Sequence, residues 1–129
     1  MQAAMAGMPE TLKRRQDFLA AARGVFRAMP AVVVQMRDRK DDAPPRVGFT
    51  ATRRIGKAVV RNRARRRLRE IVRQLPANVL LPGRDYVFIA REETAACPHA
   101  ELRRQVMRAL AKLNAGQGRP STARGRRRR

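Results

Sequence analysis

Apolar positions along the chain recur in two rhythms, one every third or fourth residue and one every second, and these set the expected elements. Leu12, Phe18, Leu19 and Ala22 share a face of a helix over residues 13–23, which Gly24 stops. Val32, Val33 and Val34 continue through Met36 as a β-branched strand, and Asp38–Pro45 forms a charged turn closed by two prolines. Val47, Phe49 and Ala51 then alternate with Gly48, Thr50 and Thr52, so the two strands read as a hairpin. Val60, Ala64, Leu68, Ile71, Val72 and Leu75 make one stripe of a helix that starts near Gly56 and cannot pass Pro76. Asp85–Ala90 is the clearest buried strand, and Pro98 opens a last helix carrying Leu102, Val106, Leu110 and Leu113. Helices on one side of a small sheet give an α+β two-layer sandwich. The expected layout is a loose leader at residues 1–10, a domain at 11–113, and an Arg-rich tail at 114–129 that stays disordered until it meets an anion.

Charge changes this picture. Across 129 residues there are 31 Lys and Arg, 27 of them Arg, against 10 carboxylates, for a net charge of +21. Self-repulsion of that size opposes a compact state unless a polyanion neutralises it. A membrane surface would call for large apolar anchors beside the basic residues, and the chain has no Trp, so nucleic acid is the expected partner. The excess is concentrated: nine of the seventeen residues from Arg53 to Arg69 are cationic and none is acidic. On a helix, Asn62, Arg66, Arg69 and Arg73 fall opposite the apolar stripe, so one element can dock on a core and still present an unbroken guanidinium surface. Guanidinium forks match phosphate oxygens in bidentate geometry.

The same inventory excludes most protein-borne chemistry. A single cysteine, Cys97, allows no intramolecular disulfide and no multi-cysteine zinc site, and His99 is the one histidine. Without clustered carboxylates the chain has no ready acid–base pair, nucleophilic triad or metal cage, so no catalytic residue is assigned. The first residues lack the charged start and apolar core of a secretory signal, and no run reaches transmembrane length. Cytoplasmic residence is therefore expected.

The run Arg46-Val-Gly-Phe-Thr-Ala-Thr-Arg-Arg-Ile-Gly-Lys-Ala-Val-Val-Arg-Asn-Arg-Ala-Arg-Arg-Arg-Leu-Arg-Glu70 closely resembles the signature of the protein component of bacterial ribonuclease P. Its centre is Arg61-Asn62-Arg63, set after a strand, the basic step Arg53-Arg54, Gly56 and Ala58-Val59, and before Arg65, Arg66 and Arg69. Leu12-Lys13 with Asp17-Phe18 resembles the opening helix of that family, and Asp85–Ile89 its final strand. The resemblance implies a strand, basic helix and last strand joined in a left-handed parallel crossover, against the usual right-handed rule. It also implies an accessory subunit of a ribozyme that cuts the 5′ leader from precursor transfer RNA, one protein for each RNA. Mg2+ would be held mainly by RNA phosphates, and a metal-activated water would attack the phosphodiester.

Two surfaces follow from the resemblance. Arg61, Asn62, Arg63, Arg65, Arg66 and Arg69 would lie against the catalytic RNA, although Arg61 and Arg67 flank the apolar stripe and can also pack. A cleft between the sheet and the first helix would hold the single-stranded leader by stacking and backbone charge, with Phe18 as platform and Lys13, Arg14, Arg15, Arg53, Arg54 and Lys57 as phosphate contacts. Phe18 can equally be a core residue. Where the family has further aromatics, this chain has Ala22 and Gln35, so stacking should be weaker. A structural RNA-binding protein of ribosomal type would share the charge and the tail, and a protein-only nuclease would need the carboxylates that are missing.

Overall fold

The computed structural model describes residues 8–120. In chain order the elements are β1 (Glu10–Thr11), α1 (Arg15–Ala22), β2 (Val25–Met29), β3 (Val32–Asp38), β4 (Arg46–Thr50), a 3-10 turn (Arg53–Ile55), α2 (Ala58–Arg73), β5 (Arg84–Ala90), α3 (His99–Asn114) and β6 (Arg119–Pro120). They form one mixed sheet in the order β1-β4-β5-β3-β2-β6, an α+β architecture.

The expected hairpin between residues 32–36 and 47–52 does not form. β5 lies between the two strands, antiparallel to β3 with Val34 opposite Phe88, and parallel to β4 with Phe49 opposite Phe88. The hairpin that does form joins β2 to β3 around Pro30-Ala31, with Val25 opposite Met36. β2 escapes the sequence pattern because its residues are half-buried or exposed, with no clean alternation. β4, α2 and β5 make a parallel crossover between neighbouring strands.

Strand alternation sorts the sheet into two faces. One carries Val32, Val34, Val47, Tyr86, Phe88 and Ala90, which close on Ala64, Leu68, Ile71 and Val72 of α2 and on Leu102, Val106, Ala109, Leu110 and Leu113 of α3. Phe49 and Phe88 stack there at 5.6 Å. The other face carries Val87 and Ile89, covered by Leu12, Phe18 and Ala21. α1 thus packs on the side opposite α2 and α3, so the helices do not all lie on one side as the periodicity suggested. Gly48 permits this crossing: a Cβ there would fall 2.6 Å from the Phe18 ring.

Element ends have local causes. α2 begins at Ala58 rather than Gly56, because Gly56 has φ +139°, a conformation closed to a helix, and the preceding residues form the 3-10 turn. α2 ends at Arg73, with Leu75 still buried beyond it. The disorder expected from Asn114 onward does not begin there. Asn114 closes α3, Gly116 turns the chain at φ +79°, and Arg119–Pro120 pairs with Val25 and Phe26 of β2. At the other end, Glu10 of the expected leader pairs with Arg46. Residues 1–7 of that leader and 121–129 of the tail lie outside the described residues.

Candidate nucleic-acid interface

α2 is held by its apolar stripe, and its opposite side is a row of nitrogen donors. Asn62, Arg63, Arg66, Arg69 and Arg73 are exposed, while Arg61 and Arg65 are half-buried along the flanks. Arg61 turns back to donate from Nη1 to the Gly56 carbonyl at 3.0 Å, and Arg67 donates to the carbonyls of Ala95 at 2.7 Å and Thr94 at 3.3 Å. Arg65 donates to Oδ1 of Asn62, so the amide and guanidinium form one donor surface. Arg69 lies 5.4 Å over the Phe49 ring, a cation–π contact that fixes its stem. Val59, 71% exposed, is an apolar residue on the same outer side. Among the described residues, no ion pair reaches Arg61, Arg63, Arg65, Arg66 or Arg69, and the one carboxylate on α2, Glu70, pairs with Arg73.

The residues expected at the leader cleft do not converge on one groove. Lys13 and Arg14 line a depression of about 300 Å³ with Glu10, Thr11, Asp17 and Arg46, beside the start of β4. Arg54 lines another of about 500 Å³ past the end of β4, with Val33, Thr52, Ile55, Ile89 and Arg91 among its walls. Phe18 lies between, half-buried, its ring against Gly48. Arg15, Arg53 and Lys57 are exposed and line neither opening.

Sequence reasoning missed a second group of arginines. Asp85 is fully buried at the start of β5 and accepts hydrogen bonds from Arg46 (Nη2 2.8 Å, Nε 2.9 Å) and from Arg39 Nη1 (2.5 Å), with Arg37 at 3.6 Å. Asp17 of α1 reaches Arg46 at 3.6 Å and Arg37 at 3.8 Å, so the cluster ties α1 to the sheet. Arg39, its side chain 8% exposed, also donates to Asp41 and to the carbonyls of Ala43, Pro44 and Arg84, folding the loop between β3 and β4 around itself. Burial pushes the Asp85 carboxyl up, but the hydrogen bonds and charges of Arg46 and Arg39 prevail and hold it below the usual range. The guanidinium of Arg46 is raised in turn by its bond to Asp85. The missed signal was positional. Arg46 and Asp85 become opposite neighbours only once β4 and β5 are known to be parallel.

Burial and the neighbouring Glu101 raise the Cys97 thiol above its ordinary value, which disfavours the reactive thiolate. Among the described residues, no three His, Cys, Asp or Glu side chains gather as a metal site, and no helix is long and apolar enough to cross a membrane.

The family model described as Ribonuclease P matches residues 8–114, which spans the whole sheet except β6 together with all three helices. The chain belongs to the ribonuclease P protein family. The ribonuclease P protein component of Caulobacter vibrioides is 48% identical over 124 residues, covering 92% of this chain and 83% of that protein. That of Gluconacetobacter diazotrophicus is 44% identical over 109 residues, covering 84% and 94%. Among solved structures, the ribonuclease P protein of Thermotoga maritima is similar with a TM-score of 0.60 at 30% identity, covering 84% of this chain and 96% of that one. The Staphylococcus aureus protein shares the fold with a TM-score of 0.66 at 24% identity, covering 80% and 94%. Membership gives this ribonuclease P protein the accessory-subunit role in transfer-RNA processing, with ribonuclease P RNA as its partner.

Proposed function

We propose that this ribonuclease P protein divides its work between two faces. The outer side of α2 anchors the catalytic RNA through Arg61, Asn62, Arg63, Arg65, Arg66 and Arg69. The face crossed by α1 holds the 5′ leader of precursor transfer RNA, with the Phe18 ring as a flank and Lys13, Arg14, Arg15, Arg53, Arg54 and Lys57 on leader phosphates. The carrying observation is that, among the described residues, Arg61, Arg63, Arg65, Arg66 and Arg69 have no carboxylate partner, while Arg37, Arg39 and Arg46 all reach Asp85. A cationic row left uncompensated on a rigid helix is complementary to phosphate.

Cleavage belongs to the RNA subunit in this reading, and no side chain acts as nucleophile. Magnesium ions would be ligated by RNA phosphates, the hard oxygen ligands this ion prefers. The protein supplies binding and orientation. Guanidinium groups lower the repulsion between two RNAs, and α1 with the sheet directs an unpaired strand across the site. One protein serves one RNA, in the cytoplasm.

If about six α2 and flanking contacts meet phosphates, affinity should fall with salt at a log–log slope of about −4 to −5. Arg66→Ala and Asn62→Ala should weaken assembly with ribonuclease P RNA, Arg66→Ala also making the slope shallower by about 0.7–0.9, with thermal stability unchanged because both side chains point outward. Stability and RNA affinity falling together would place these groups in the fold. A holoenzyme indifferent to the presence of a 5′ leader would contradict the second face.

A further inference from the structure

α2 has a neighbour with the same imbalance. α3 buries Leu102, Gln105, Val106, Ala109, Leu110 and Leu113 against the sheet, and the positions turned away carry Arg104 and Arg108, flanked by Arg103 and Lys112. Arg104, Arg108 and Lys112 follow each other at steps of four, where like charges oppose the helix. A helix face that serves solubility interleaves carboxylates to relieve this. α3 has one, Glu101, and it is engaged by Arg104 and Gln105. Among the described residues no ion pair reaches Arg103, Arg108 or Lys112. Exposed Ala111 and Ala115 leave nothing bulky between these cations to hold a partner off.

Past the helix the chain leaves this face: a Cβ on Gly118 would fall 2.8 Å from Leu113 and Val25, Arg27 donates to the Gln117 carbonyl at 3.1 Å, and Arg119, opposite Phe26, is exposed on the α1 side of the sheet, so the α3 row ends with Lys112. Topology sets the two rows side by side. α2 leaves the end of β4, α3 leaves the end of β5, and both run back along the same face, α2 over β4 and β5, α3 over β2 and β3. β5 and β3 are neighbours in the sheet, and neighbouring strands lie about 4.8 Å apart, so helices laid over β4–β5 and over β3–β2 are within the span of one folded RNA.

We propose that α3 is a second anchoring surface for ribonuclease P RNA, with Arg104, Arg108 and Lys112 on phosphates beside those met by α2. This rests on the reading of α2 as the RNA-facing helix. The test uses the full chain carrying Arg104→Gln, Arg108→Gln and Lys112→Gln together, in parallel with Arg63→Gln and Arg66→Gln on α2. Binding to ribonuclease P RNA is measured over a salt series. The α3 variant should give a slope shallower by about 2, three contacts at about 0.7–0.9 each, with a thermal midpoint equal to or above that of the parent. A shallower slope for α2 alone overturns the α3 surface and leaves the α2 reading standing, whereas unchanged slopes in both variants overturn that reading itself. Arg104→Lys with Arg108→Lys, Lys112 being retained, should keep the parent slope, and a loss as large as with Gln would place the effect in the helix rather than in charge, which also sinks the proposal.

Discussion

Replacing Asp85 by Asn removes the charge that compensates Arg39, Arg46 and Arg37 while leaving the volume almost unchanged. Asp85 is fully buried and Arg39 is nearly so, hence the variant strands guanidinium charge away from water. Breaking a buried pair by removing one partner costs about 3–5 kcal/mol when the remaining charge is left uncompensated; Asp41 stays beside Arg39 and Asp17 beside Arg46, which puts this site at the lower end, about 3 kcal/mol. Unfolding entropy of about 2.1 cal/mol/K per residue gives roughly 0.24 kcal/mol/K for a domain of this size, so the thermal midpoint should fall by about 13 °C. Circular dichroism melts at neutral pH measure this directly. The sign of the pH dependence follows from the lowered Asp85 carboxyl: its contribution is fully present above the ordinary carboxylate range and disappears as pH falls through the folded-state value. The parent should therefore lose stability in acid more steeply than Asp85→Asn, and the two curves should converge at low pH. A midpoint within about 4 °C of the parent at neutral pH, or parallel acid curves, would refute the account of Asp85 as the charge that holds α1, β3, β4 and β5 together.

Three other perturbations probe the opposite face and the C-terminal end. Gly48→Ala places a methyl 2.6 Å from the Phe18 ring, which must shift at a cost of about 1–3 kcal/mol. Binding should show a reduced preference for leader-bearing over leaderless transfer RNA, and a stability loss with that preference intact would make Phe18 purely a packing residue. Truncation after Pro120 should lower overall RNA affinity, flatten its salt slope and leave the thermal midpoint in place, since the β6 pairing survives. Cutting after Asn114 should also destabilise the fold by freeing the edge of β2, and equal midpoints for the two truncations would deny β6 that role.

The sequence disclosed what depends on periodicity and concealed what depends on pairing. α2 was legible because sixteen consecutive residues repeat one stripe, and its exposed side fell where the projection put Asn62, Arg66, Arg69 and Arg73. β5 was legible as a buried apolar run. The partner of β3 was not, because a strand sequence carries no address, and the nearest candidate in the chain, β4, was the wrong one. β2 was lost because a strand half open to solvent, flanked on one side only by the two-residue β6, need not alternate. Arg39 looked like one more charge in a polar turn, yet it is the centre on which that turn folds, held against Asp85 and beside Gly83, where a Cβ would strike the Asp41 carbonyl at 2.1 Å.

An excess of arginine has no single meaning until its partners are known. Around Asp85 each guanidinium is spoken for by a carboxylate or a carbonyl, and adding RNA there would first have to break buried bonds. Along α2 the guanidiniums are seated by Gly56, by Asn62 and by the Phe49 ring, contacts that fix their direction without cancelling their charge. Neutral partners of this kind lower the entropy lost when a side chain is fixed on a phosphate, while the full Coulombic attraction remains. In the reading proposed for α2, the arginines that hold the protein together are those met by a carboxylate, and Arg61, Arg65 and Arg69, offered to RNA, are met by a carbonyl, an amide and an arene.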